Sequence, residues 1–190
     1  MKYKTNSKQK RQGGYSLVEL TVVVTILVLL SAAVIVNFNR GERIQRLNVA
    51  ADSVQSALRQ MQGNILFGLE YSATEVAQDF GFEISNNGQS YTTFVEDNNS
   101  PTPNRTNLET VTFASGVTAT NLTVEGVSAS KIEVRFFPPF GRIKITGVGT
   151  SYNQAENVGV LFDLRLDAGS GNIITKQVEV DGITGKIEVR

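Results

Sequence analysis

Between Glu19 and Arg40 the chain runs for twenty residues, Leu20 to Asn39, without a charged side chain. Within it, Leu20 to Val36 holds nothing more polar than Thr or Ser. A stretch this apolar cannot stay in water uncovered, and in an apolar medium its backbone must satisfy its own hydrogen bonds, which selects a helix. At ~1.5 Å per residue, twenty helical residues cover ~30 Å, the thickness of a bilayer's hydrocarbon core. The segment before it, residues 1–14, carries Lys2, Lys4, Lys8, Lys10 and Arg11 and no acid. The whole chain has 18 basic and 18 acidic residues, so the remainder has 18 − 5 = 13 bases against 18 acids. A basic flank keeps the N-terminus in the cytoplasm, which puts the acidic remainder outside.

Two plain readings of this arrangement exist. One is a secretory signal peptide, with Ser31-Ala32-Ala33 as a small-residue cleavage site. The other is a simple anchor. Neither accounts for Glu19, because a carboxylate at the head of an apolar helix is costly without a partner and marks function.

Composition narrows the chemistry. The 190 residues include no Cys and no His. Disulfides, thiolate nucleophiles, Cys-ligated metals, Ser-His-Asp triads and His-ligated metal sites are therefore excluded. The sequence contains no nucleotide-binding glycine pattern, and its acids are scattered along alternating strands rather than gathered as catalysis needs. An enzyme is not expected.

The residues around the carboxylate read Gly13-Gly14-Tyr15-Ser16-Leu17-Val18-Glu19-Leu20. With the basic leader before them and the apolar run after, they closely resemble the N-terminal motif of type IV prepilins. The resemblance implies cleavage by a membrane prepilin peptidase after Gly14 and methylation of the new N-terminus, Tyr15. It implies that Glu19 is the assembly carboxylate, meeting the α-ammonium of a neighbouring subunit. The departures, Tyr15 for the commoner Phe, and Ser16 and Val18, are mild. The physics suits these roles: Gly13-Gly14 offers an unhindered backbone to a peptidase, and a paired charge in a dry helix bundle sets register.

Beyond Asn39 the pattern becomes amphipathic. Ile44, Leu47, Ala51, Val54, Leu58, Met61 and Ile65 recur at three- and four-residue steps. One helix is expected from about Ser16 to about Leu66, with a bend or a tolerated glycine at Gly41. Residues 70–190 read as short strands. Phe80–Ile84 and Tyr91–Val95 form a hairpin, followed by a loop over Glu96–Asn104. Val111–Phe113 and Asn121–Val124 are weak strands. Lys131–Phe137 and Arg142–Ile145 alternate, Val158–Leu166 and Ile173–Val180 flank a turn, and Lys186–Val189 is last.

The expected fold is α+β and pilin-like, a long N-terminal helix packed on an antiparallel β-sheet head, with a second sheet or hairpin outside. The expected organisation is a leader over 1–14, a membrane and filament-core helix over 15–39, an amphipathic half over 40–68 and the head over 69–190. The β-rich second half loosely resembles the H-type minor pilins and pseudopilins, through Val134–Gly141, the hairpin after it and the terminal Thr184–Val189 strand.

As a whole, the resemblance implies a minor pilin or pseudopilin of a type IV pilus or type II secretion filament. Its partners would be other pilin or pseudopilin subunits, the prepilin peptidase, a membrane assembly platform and membrane lipid. The alternatives are a competence pilin contacting DNA, or an anchored surface module outside any filament. For DNA, the candidate patch is Arg135, Arg142 and Lys144 beside Phe136, Phe137 and Phe140. For calcium, the candidates are the oxygen-rich loops Glu96–Asn99 and Asp167–Asn172, although neither has EF-hand spacing.

Overall fold

The computed structural model describes residues 16–68, 79–97, 104–138, 140–167 and 173–190, with the side chains of 33–40 and 97 outside that description. The chain divides into two compact units, Met1–Gly41 and Glu42–Arg190. The single described helix, α1, runs from Leu17 to Leu66 and passes through Gly41 as helix. It ends where Gly68, at a φ of 60°, adopts the left-handed cap, and its N–H bonds back to the Ile65 carbonyl.

The second unit is built from two antiparallel sheets. The first contains β1 (Asp79–Ser85), β2 (Ser90–Asp97), β3 (Asn104–Thr112), β6 (Lys131–Phe137), β7 (Arg142–Val148) and β8 (Ala155–Glu156), in the spatial order β3-β2-β1-β6-β7-β8. The second contains β4 (Val117–Val124), β5 (Val127–Ser128), β9 (Val160–Asp167), β10 (Ile173–Val180) and β11 (Ile187–Val189), in the order β11-β10-β9-β4-β5. Alternation fixes which faces are inside. Phe80, Phe82 and Ile84 of β1, Ile132, Val134 and Phe136 of β6, and Phe162, Leu164 and Leu166 of β9 are all buried in one continuous core. Phe82 stacks on Tyr91 at 5.1 Å and on Phe162 of the other sheet at 6.5 Å, so the inner faces of the two sheets meet. The second sheet is therefore not an outer layer, as the sequence suggested; its inner face shares the core.

The helix completes that core with Leu47, Ala51, Val54, Leu58, Met61 and Ile65. Ile44, the first position of the expected stripe, stays 40% exposed. Ser53 and the Tyr91 hydroxyl of β2 hydrogen-bond at 2.7 Å. On the other side the Gln55 and Gln62 amides donate to the Ile187 and Gly185 carbonyls. The Gln55 bond takes up one carbonyl on the β11 edge of the second sheet.

Candidate functional site

Ser16 sits just ahead of the helix. Its hydroxyl accepts the Glu19 N–H at 3.2 Å and its carbonyl accepts the Leu20 N–H at 3.2 Å. This is an N-cap, and Glu19 stands at the third helical position, where a carboxylate faces the positive end of the helix. The pattern Ser-x-x-Glu is visible in the sequence, so the cap was legible there, though Glu19 drew the reading to assembly instead. Gly14 and Tyr15 lie outside the described residues.

After the cap, the side chains from Leu17 to Leu30 find no cover. Leu17 is 81% exposed and Leu29 66%, and every large aliphatic side chain between them is at least half exposed. These are leucines, valines and an isoleucine, each worth ~1.5–3 kcal/mol if fully buried. The hydroxyls in this run turn inward along the backbone. Thr21 Oγ1 donates to the Leu17 and Val18 carbonyls, Thr25 Oγ1 to Thr21, and Ser31 Oγ to Leu27. With their protons satisfied inside the helix, they add little polar surface. The segment presents aliphatic groups on all sides, with one carboxylate at its head. Among the described residues no helix is long and apolar enough to cross a membrane. The uncharged run with described side chains ends at Ala32, thirteen residues from Leu20. At ~1.5 Å each that is ~20 Å, short of the ~30 Å hydrocarbon core. The rest of the expected span lies outside the described side chains.

Residues 9–35 match the family model described as the prokaryotic N-terminal methylation motif. The N-terminal segment is type IV prepilin-like. The match covers the leader's basic end, the Gly14–Tyr15 junction, Glu19 and most of the apolar run. Comparison with curated proteins and with solved structures found no match.

The head carries a second concentration of charge, on the outer face of the first sheet. Arg135 of β6 donates to Glu96 of β2 at 2.5 Å, to Glu133 at 3.0 Å and to Asp79 of β1 at 3.4 Å. Arg105 of β3 reaches across β2 to Glu83 at 2.5 Å and Glu133 at 3.2 Å, and Lys131 bridges the same two acids. The Arg105 guanidinium lies 3.7 Å above the Phe94 ring, which itself lies flat over Gly81. A Cβ on Gly81 would stand 2.1 Å from the ring, so only glycine leaves room for this stack.

Burial pushes the Asp79 carboxyl up to about 6, against the pull of Arg135, and its Oδ1 has no hydrogen-bond partner. Burial also pushes Glu133 up, but hydrogen bonds from Arg135 and Lys131 outweigh it and hold Glu133 at about 2. The mesh ties the outermost strand β3 to the sheet interior.

The structure takes Arg135 and Phe136 out of the basic–aromatic patch read from the sequence, while Arg142 and Phe140 stay exposed. Arg135 is committed to three carboxylates, Phe136 is core, and Arg142 and Lys144 both lie within 4 Å of Glu156. Lys144 also caps the Phe137 ring at 4.7 Å. Of the oxygen-rich loops, Glu96 is taken by Arg135, while 98–99 and 168–172 lie outside the described residues. No group of acids suited to a metal ion occurs among the described residues.

Proposed function

We propose that the chain is a structural subunit, a minor pilin or pseudopilin, of a type IV pilus or type II secretion filament. It is made with the leader 1–14, sits in the membrane with its leader cytoplasmic and its head outside, and is cut after Gly14. The peptidase also methylates Tyr15. The subunit then passes through a membrane assembly platform into the filament, among other pilin-like subunits.

The match of residues 9–35 to the methylation motif carries this reading. The uncovered aliphatic run from Leu17 to Leu30 supports it, because such a surface needs lipid before assembly and neighbouring helices after it. Moving these side chains from lipid to helix neighbours gains packing rather than hydrophobic energy, so specificity must come from elsewhere. Glu19 supplies it by pairing with the Tyr15 ammonium of an adjoining subunit. The carboxylate then has two roles, closing its own helix end and fixing the register of the next subunit.

The test is Glu19→Ala in cells that assemble the wild-type chain. Cleavage after Gly14 should persist while incorporation into sheared filaments falls at least tenfold. Incorporation at the wild-type level would contradict the pairing.

A further inference from the structure

The part of α1 that belongs to the head carries Glu42, Arg43, Arg46, Asp52 and Arg59 as its charged side chains. Arg46 pairs with Glu42, and Arg43 has an interaction of its own. Among the described residues, Asp52 and Arg59 meet neither an ion-pair nor a hydrogen-bond partner. The helix itself cannot supply one. Side chains pair along a helix at three and four residues. Those positions hold Asn48, Val49, Gln55 and Ser56 around Asp52, and Gln55, Ser56, Gln62 and Gly63 around Arg59, all uncharged. Asp52 and Arg59 stand seven residues apart, about two turns and ~10 Å. That is too far for them to meet, yet it puts them on the same side of α1. The side is open to solvent, with Val49 59% exposed and Asp52, Ser56 and Arg59 exposed beside it.

The second sheet supplies no acid to Arg59 either. Arg59 lines a groove of ≈530 Å³ between α1 and β11, which Lys186 and Arg190 line from the other side. Both already lean on Glu188, the one acid among the described residues that line it, and Arg190 leans on Glu179 as well. Gln55 and Gln62, one turn to either side of Arg59, are tied to the Ile187 and Gly185 carbonyls. Arg59 is left as an unpaired base beside two others. A carboxylate for it must come from another molecule.

Every copy of the chain carries both halves of the missing pair. Chains held by the same end in one membrane run the same way. At zero offset such copies set like charges face to face, Asp52 on Asp52 and Arg59 on Arg59, which disfavours that arrangement. A slide of seven residues instead brings Arg59 of one copy level with Asp52 of the next. Each copy then uses Asp52 toward one neighbour and Arg59 toward the other, so the contact repeats without closing. The slide has the same sense as the Glu19 pairing, in which a later residue of one copy meets an earlier residue of the next.

We propose that Arg59 is the docking site for Asp52 of a second copy, the two α1 helices running the same way and offset by seven residues, ~10 Å. The inference rests on the filament reading above and names the head contact that sets the axial step between copies.

The test reverses the charges in cells that assemble the wild-type chain. Arg59→Asp and Asp52→Arg should each cut incorporation into sheared filaments at least threefold. The double variant that swaps the two should restore it to within twofold of wild type. Both side chains are exposed, so the head should fold in every variant and cleavage after Gly14 should be unchanged. Lys176→Glu reverses a charge on β10 instead and should leave incorporation at the wild-type level. The chain has no native cysteine, so crosslinks have no background. In sheared filaments a short bismaleimide should join Asp52→Cys chains to Arg59→Cys chains made in the same cell, and neither variant to itself. Ser56→Cys, beside the midpoint of the pair, should give no disulfide dimer on oxidation.

Reversals that leave incorporation unchanged, or a swap that does no better than the single variants, would overturn the proposal and leave the filament reading standing. An equal loss with Lys176→Glu would do the same, since any reversed charge would then suffice. A Ser56→Cys dimer would overturn it by showing a two-fold contact. Absence of the unmodified chain from filaments would overturn both.

Discussion

Asp79 is the group through which the head's stability should respond to mild acid. It is 1% exposed, one oxygen lacks a partner, and its carboxyl is raised from 3.8 to about 6. Facing it are Arg135 and Glu133 from β6 and Glu96 from β2. The folded state thus disfavours the charged form. Above pH 6 both states are ionised, and the full interval of about two pH units weighs against folding by ~3 kcal/mol. Between about 6 and 3.8 the folded protein holds a proton that the unfolded chain releases, so stability rises as pH falls. Glu133 acts oppositely, but from 4.5 down to about 2, so it leaves the upper part of that window to Asp79.

Lowering the pH from 7 to 4.5 should therefore recover ~2 kcal/mol through Asp79 alone. Asp79→Asn removes the titration, whatever fixed cost its amide carries. The assay is denaturant unfolding of the full chain in mild detergent at several pH values between 7 and 4.5. The stability of Asp79→Asn minus that of wild type should fall by ~2 kcal/mol as the pH drops across the range. A difference that stays constant with pH would refute the reasoning.

Two further substitutions test the geometry around the site and the mesh. Gly81→Ala should displace the Phe94 ring and cost ~2 kcal/mol or more, with the Arg105–Phe94 stack lost, as read by unfolding and by the ring's chemical shifts. Ser16→Ala should cost ~1 kcal/mol at the start of α1, seen as faster amide exchange at Glu19 with the head's exchange unchanged.

Much of the head was legible because one face of each long strand is buried. The bounds of the alternating run Lys131–Phe137 match β6, and the turn-rich stretch Ser85–Ser90 between Phe80–Ile84 and Tyr91–Val95 marked the β1–β2 hairpin. The strands that were misjudged lack that signal. β3 begins at Asn104, earlier than Val111, because an edge strand with mostly wet side chains shows no apolar period. β4 begins at Val117 rather than Asn121, since the register shifts between Thr120 and Thr123, where Asn121 takes a φ of 53°, and reverses the alternation midway.

The charge mesh was illegible for another reason. Arg135 meets Asp79 and Glu96 across sequence separations of 56 and 39 residues, which no local pattern encodes. Read locally, Arg135 looked like a free base beside aromatics. The N-terminal segment, by contrast, was legible because its chemistry is sequential: leader, glycine pair, carboxylate and aliphatic run follow one another along the chain.

Cleavage after Gly14 and methylation of Tyr15 are read without intermediaries by mass spectrometry of the protein isolated from its cells. A mature chain that begins at Tyr15 and carries one added methyl group there is the expected result. A chain that still begins at Met1, or one that begins beyond Ala32, would contradict it.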